Sequence, residues 1–313
     1  VSLNIIFGSV PDASGVNGAV TSSNKFASDV GIDILKDGGN AIDAAIAVGF
    51  ALAVVHPGAG NIGGGGFMVI RLADGTTTTI DFREIAPEKA KRDMFLDENG
   101  DIIEGKSWST SWASGVPGSV AGFGLAHEKF GTLQWSHLID SSIQLARDGY
   151  PLNYNDANSF NRYNDFLTKD SVTRIIFVKD EDFKTGDMLV QRDLANTLER
   201  ISRRGWSEFY TGKTADLIQK CMERTDGLIS KNDLKNYIPV QRDPITFTYR
   251  DHIVYSMPPA SSGGIALAGI LNQLENIDLG SLPFHGADHI HYLTESQRRV
   301  YADRSTMLGD MDF

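Results

Sequence analysis

HPGAGNIGGGGFMVIRL, residues 56–72, followed after Ala-Asp-Gly by TTTTIDFREIAP, residues 76–87, decides how this chain is read. Four consecutive glycines, Gly63 to Gly66, run straight into an apolar segment, so no Cβ separates this backbone from whatever packs on it. Residues 67–72 and 76–82 have the composition of strands, and Asp74-Gly75 between them is a strong hairpin signal. Arg83 stands just past the second strand, where its rigid two-pronged donor face is well placed to meet a carboxylate. An internal salt bridge, to Glu84 or to an acid elsewhere, accounts for Arg83 equally well on spacing alone.

The glycines do not read as a phosphate site. A P-loop needs Lys-Ser/Thr after its last glycine, and a dinucleotide fold needs a strand before the loop and a helix after it. Here a helix precedes and a β run follows, which leaves tight backbone packing beside a ligand site.

Working outward, helices are expected over 24–36, with Phe26, Val30, Ile34 and Leu35 on one face, and over 41–55. Gly38-Gly39 ends the first, Asn40 caps the second with Asp43 as its capping-box acid, and His56-Pro57 stops it. Further helices are expected over 119–130, 135–149, 192–204, 214–224 and 231–237. A second β pair covers 245–249 and 253–257 with Arg250-Asp251 as its turn. PPASSGG, residues 258–264, leads into a helix through Leu274, and a last helix covers 287–304. Residues 1–20 read as irregular. No repeat or Pro-rich linker divides the chain, so one interwoven α/β unit fits better than two separate domains.

Composition excludes several functions. The chain has 313 residues, 41% hydrophobic and 22% charged, ordinary for a soluble globular protein with a sizeable core. A net charge of −11, with the arginine pairs 203–204 and 298–299 among acidic neighbours, argues against nucleic acid. The apolar run 41–55 holds Asp43 and falls short of the ~20 residues a bilayer span needs, so it is a buried helix and not an anchor. There is no signal peptide, and a start at Val1 instead of Met fits a leader already removed. Cys221, the single cysteine, permits no intramolecular disulfide; with Leu217, Ile218 and Met222 it reads as a buried thiol on an apolar helix face.

Catalytic signatures are scarce. His285, His289 and His291 lack an HExxH or carboxylate-flanked pattern, so no metal is expected. The G-x-S-x-G elbow is absent. Ser261 and Ser262 follow a strand and precede a helix, where they either cap that helix or line an active site. No nucleophile, base and oxyanion hole assemble from this chain alone.

Five ordered runs resemble one family: 38–72, 81–97 (DFREIAPEKAKRDMFLD), 113–123 (ASGVPGSVAGF), 255–275 (YSMPPASSGGIALAGILNQLE) and 301–313 (YADRSTMLGDMDF). Together they resemble the large subunit of bacterial γ-glutamyltranspeptidases. The resemblance implies an α+β fold, a four-layer αββα sandwich of the N-terminal-nucleophile hydrolase type completed by a small subunit cut from the same precursor. Residues 1–313 would then be the large-subunit share of a single domain. The nucleophile would be the threonine that begins the small subunit, its own α-amino group serving as base, so no catalytic residue is expected in this chain. The glycines of the oxyanion hole and the acid for the substrate amine would also come from the small subunit.

Arg83, in the D-F-R-E motif, would bind the α-carboxylate of the γ-glutamyl group. The activity implied is cleavage of the γ-glutamyl amide of glutathione and related compounds, with transfer to water, amino acids or peptides. Neither cofactor nor metal is implied. The expected partner is the small subunit, in a heterodimer or a dimer of heterodimers, in the periplasm or secreted. The family's large subunit continues some tens of residues past the point where this chain stops, a tail either disordered or truncated here. The rival readings are a cephalosporin (glutaryl) acylase of the same fold and a solute-binding protein.

Overall fold

The computed structural model describes residues 14–312, so the first part of the irregular reading, residues 1–13, lies outside the described residues. The chain forms two compact units, Val1–Asn61 with Lys129–Arg203, and Ile62–Glu128 with Arg204–Phe313.

The first unit is built around the helix Ala41–Val55, which buries residues on all sides, among them Ile46, Phe50 and Val54. Each large apolar side chain withdrawn in this way contributes roughly 1.5–3 kcal/mol. It packs against the helices Lys25–Lys36 and His137–Asp148. Gly31 permits the close approach of the first pair, since a Cβ there would stand 2.6 Å from Val48 Cγ2. The expected caps are present. Asn24 accepts the Phe26 N–H, and Asn40 with Asp43 closes a capping box. Asp43 is fully buried, and its carboxylate also takes the Thr132 N–H and the Thr132 hydroxyl, at 3.1 and 2.5 Å. A buried carboxylate is tolerable only with such a complement of donors. At the other end, Asn24 Nδ2 donates to the Val55 carbonyl and Gln191 Nε2 to the Val54 carbonyl, supplying partners that a helix end otherwise lacks. Among the described residues of this unit, three helices were not foreseen: Tyr154–Arg162, Asn164–Leu167 and Ser171–Phe177. The first buries only Ala157 and Phe160, too narrow a stripe to stand out as a period.

The second unit holds the expected hairpin, Phe67–Arg71 against Thr77–Asp81 in register Phe67↔Asp81 and Arg71↔Thr77. A third strand, Val240–Arg242, pairs antiparallel with Thr77–Asp81 and places that strand in the middle. Its three residues are too short to carry an alternation, and sequence reading passes over them. The second β pair is Ile245–Tyr249 with His252–Ser256, and Arg250 and Asp251 have φ of +45° and +64°, as a two-residue primed hairpin turn requires. The helices Gly263–Leu274 and Ala287–Met307 pack together, with Gly269 lying under Val300. The helix Ser119–Phe130 begins at its expected residue, and Phe82 lies against Gly122 where a Cβ would come within 2.2 Å of the ring. All named strand pairs are antiparallel and helix predominates, which is the expected α+β class.

Candidate functional site

Arg83 lies beyond the end of the central strand, and its main chain is held on both sides. The strand breaks there because Asp81 folds its carboxylate back: Oδ1 accepts the Arg83 N–H at 3.1 Å, an Asx-type turn. The other oxygen, Oδ2, accepts from Arg242 Nε at 3.3 Å, and Arg242 extends both terminal nitrogens to Asp312 at 3.2 and 2.5 Å. On the far side, the Tyr237 hydroxyl donates to the Arg83 carbonyl at 2.8 Å.

Tyr237 is itself fixed. Its ring stacks on Tyr210 at 5.7 Å and 12°, and the Tyr210 hydroxyl accepts the Ala121 N–H at 3.0 Å. Burial, with Tyr210, Asp81 and Glu84 nearby, pushes the Tyr237 phenol far above its ordinary range, so it stays a donor at any working pH. Arg242 gains its protonated form from Asp312 first and Asp81 after, against an opposing desolvation.

The glycines serve this arrangement. A Cβ on Gly65 would stand 2.5 Å from the Phe82 oxygen and 2.9 Å from Arg83 Cα. On Gly118 it would meet the Phe82 oxygen at 2.0 Å and Tyr237 Oη at 2.1 Å. The Gly64 carbonyl accepts the N–H groups of Gly118 and Ser119, at 2.7 and 3.0 Å, so the N-terminus of the Ser119–Phe130 helix is turned onto the glycine run. Backbone packing of this kind agrees with the reading made from the glycines.

The Arg83 guanidinium is exposed and makes no ion pair or side-chain hydrogen bond among the described residues, Glu84 included. It borders three cavities. One, of about 400 Å³, is shared with Ser261, Ser262 and Arg304. Another, of about 510 Å³, has apolar walls from Ile85, Met94, Phe95 and Trp112. The last, of about 290 Å³, is acidic, with Asp81, Glu84, Asp310 and Asp312. A cation that makes no ion pair among the described residues, opening on such spaces, is equipped to take a carboxylate as a bidentate pair.

The two serines divide their roles. Ser261 Oγ accepts the Gly263 N–H at 3.2 Å from one residue ahead of the N-cap position, so the expected capping is met only by this local bond. Ser262 makes no cap bond and accepts from Arg304 Nε at 2.8 Å, and both serines line the cavity with Arg83. Cys221 is half-buried, because its helix, Lys213–Thr225, buries Thr214 and Ala215 and leaves Leu217 exposed; this corrects the buried-thiol reading. Among the described residues no group of three metal-binding side chains converges, and His285 lies stacked on Phe284 at 3.9 Å. Sequence reading missed Asp81, Tyr237 and Arg242. The Asp-x-Arg spacing could have suggested the first, while the other two come from a helix end and an unforeseen strand.

Comparison with known proteins gives a consistent picture. Residues 27–313 match the family model described as Gamma-glutamyltranspeptidase. The glutathione hydrolase proenzyme of Escherichia coli (strain K12) is 50% identical over 298 residues, which are 95% of this chain and 51% of that protein. The crystal structure of Helicobacter pylori gamma-glutamyltranspeptidase superposes with a TM-score of 0.94 at 45% identity, covering 97% of this chain and 87% of that one. The Acylase ACY 1 proenzyme of Pseudomonas sp. (strain V22) is more distant, 35% identical over 96% of this chain and 55% of its own length. This chain spans about half the length of the curated relatives it matches.

Proposed function

This chain belongs to the gamma-glutamyltranspeptidase family, and from that premise we propose that it is the large subunit of a γ-glutamyltransferase/glutathione hydrolase. Residues 1–313 are the large-subunit share of one N-terminal-nucleophile hydrolase domain, whose αββα layers are completed by a small subunit from the same precursor. The fit to about half of each proenzyme supports this division. Acyl transfer then runs through the threonine that opens the small subunit. Its hydroxyl attacks the γ-carbonyl while its α-amino group takes the proton. The γ-amide C–N bond breaks, the departing amine takes that proton, and the γ-glutamyl ester left on the threonine passes its acyl group to water, an amino acid or a peptide, restoring the hydroxyl. Arg83 anchors the α-carboxylate of the donor, glutathione being the type substrate. The acylase reading is the weaker, since the acylase relative is 35% identical where the Escherichia coli glutathione hydrolase proenzyme is 50% identical. We place the enzyme in the periplasm or outside the cell, as a heterodimer or a pair of heterodimers. Among the described residues no helix is long and apolar enough to cross a membrane.

The observation that carries the reading is the exposed Arg83 guanidinium, unpaired among the described residues on a main chain held at both sides. In the assembled enzyme, Arg83→Ala should raise the donor KM by roughly 10²–10³-fold. Arg83→Lys should recover only part of this loss, because lysine keeps the charge without the fork. A donor lacking its α-carboxylate should respond to neither change. Unchanged kinetics for the intact donor would remove Arg83 from the site. Intact-mass measurement of the native protein should show a second, smaller chain beginning with threonine; a single uncleaved chain would overturn the division into subunits.

A further inference from the structure

We propose that Tyr237 and Asp81 are positioning residues for Arg83, aiming its guanidinium by holding the peptide groups on either side of it. The inference rests on the donor-binding role given to Arg83 above and adds the residues on which that role depends.

An arginine side chain has considerable rotamer freedom, and this one has no partner among the described residues to restrain it. What the protein fixes instead is the direction in which Cα–Cβ leaves the backbone. Two hydrogen bonds set that direction, Asp81 Oδ1 with the Arg83 N–H at 3.1 Å and the Tyr237 hydroxyl with the Arg83 carbonyl at 2.8 Å. Neither restraining side chain is free to drift. Asp81 is 7% exposed and Tyr237 6%; Arg242 Nε holds the second oxygen of Asp81, and Tyr210 stacks on the Tyr237 ring. Gly65 and Gly118 bring backbone against the same segment at distances no side chain would allow. A carboxylate clamp needs its two N–H donors aligned, and a small error of aim costs bidentate geometry before it costs charge.

This division of labour has a kinetic signature. In the assembled, self-cleaved enzyme, Tyr237→Phe deletes one hydroxyl and keeps the ring stack. The donor KM should rise about 10-fold, the loss expected for one hydrogen bond acting through a neighbour, while kcat stays within about 2-fold. On an Arg83→Ala background the same change should alter KM by less than about 2-fold, because the residue it aims is gone. Asp81→Ala, which removes the Oδ1 acceptor, is the second variant, with the same pattern expected.

Equal effects on both backgrounds, or a fall in kcat with KM intact, would reduce Tyr237 and Asp81 to scaffolding and overturn the proposal. So would failure of both variants to give soluble, cleaved enzyme. A normal loss in Arg83→Ala with silent Tyr237→Phe and Asp81→Ala sinks this inference alone. A wild-type donor KM in Arg83→Ala sinks the role of Arg83 and this inference with it.

Discussion

A Cβ placed on Gly118 would stand 2.0 Å from the Phe82 carbonyl oxygen and 2.1 Å from Tyr237 Oη, and neither atom can retreat. The first belongs to the backbone beside the sheet, and the second is engaged with the Arg83 carbonyl. Gly118→Ala should therefore destabilise the protein by about 2–3 kcal/mol, the usual cost of forcing a methyl into filled space. Gly75→Ala provides the contrast. Nothing lies within 4 Å of its Cβ position, and only its φ of +89° resists, so a loss of about 1 kcal/mol is expected. Urea melts of the two variants should rank them in that order, and equal midpoints would mean that the Gly118 contact is not tight. At this scale the sequence was informative about one candidate site residue and silent on its supports. Arg83 stood out as an arginine placed just past a strand to meet a carboxylate, and only the resemblance of its D-F-R-E motif set that reading above an internal salt bridge. Tyr237 lies 154 positions further along, and no local pattern reports a hydroxyl that arrives by tertiary packing.

Among the elements, legibility followed the strength of the local signal. Ser119–Phe130 and Arg192–Arg204 run over the residues expected of them, and the hairpin at Asp74-Gly75 differs from expectation only at its ends. Val240–Arg242 went unseen because a short strand becomes one only by pairing with Thr77–Asp81. The cap of the Ala41–Val55 helix was legible in full, and it supplies a test. Asn40 Oδ1 accepts the Ile42 and Asp43 N–H groups, while its amide nitrogen donates to the Phe130 carbonyl at 2.6 Å. Asn40→Ala should cost about 1–2 kcal/mol, and Asn40→Ser should regain most of the cap term but not the bond to Phe130. A denaturation midpoint for Asn40→Ser no better than that for Asn40→Ala would show that the tertiary bond, not the cap, dominates.

For the molecule as a whole, acid should weaken the fold. Asp187 and Asp216 are held below the ordinary aspartate range by hydrogen bonds from Lys179 and Lys231 respectively, and Asp312 by the hydrogen bond from Arg242. Burial works against the carboxyl of Asp233, yet hydrogen bonds led by the Ser230 hydroxyl keep it depressed too. Groups depressed in the folded state stabilise it above their unfolded value of 3.8, and that contribution is lost as pH falls through the folded values. Relief of self-repulsion in a chain of net charge −11 acts in the opposite direction. Because the ion pairs are specific and close, we expect the urea midpoint to hold from neutral pH to about pH 5 and to decline below about pH 4. At 1 M salt the decline should be shallower, since most of these aspartates are exposed. A midpoint that rises on acidification would show that repulsion prevails.

The route of the chain has a consequence in time. The Ala41–Val55 helix leaves the ribosome well before its last turn can be completed, because Gln191, which supplies that hydrogen bond, follows 137 residues after Val54. At translation speeds of about 5–20 residues per second, one of the most apolar helices of the protein stands incomplete for roughly 7–27 s. The nascent chain therefore passes through a long interval in which this segment is a natural client for a chaperone that shields apolar helices.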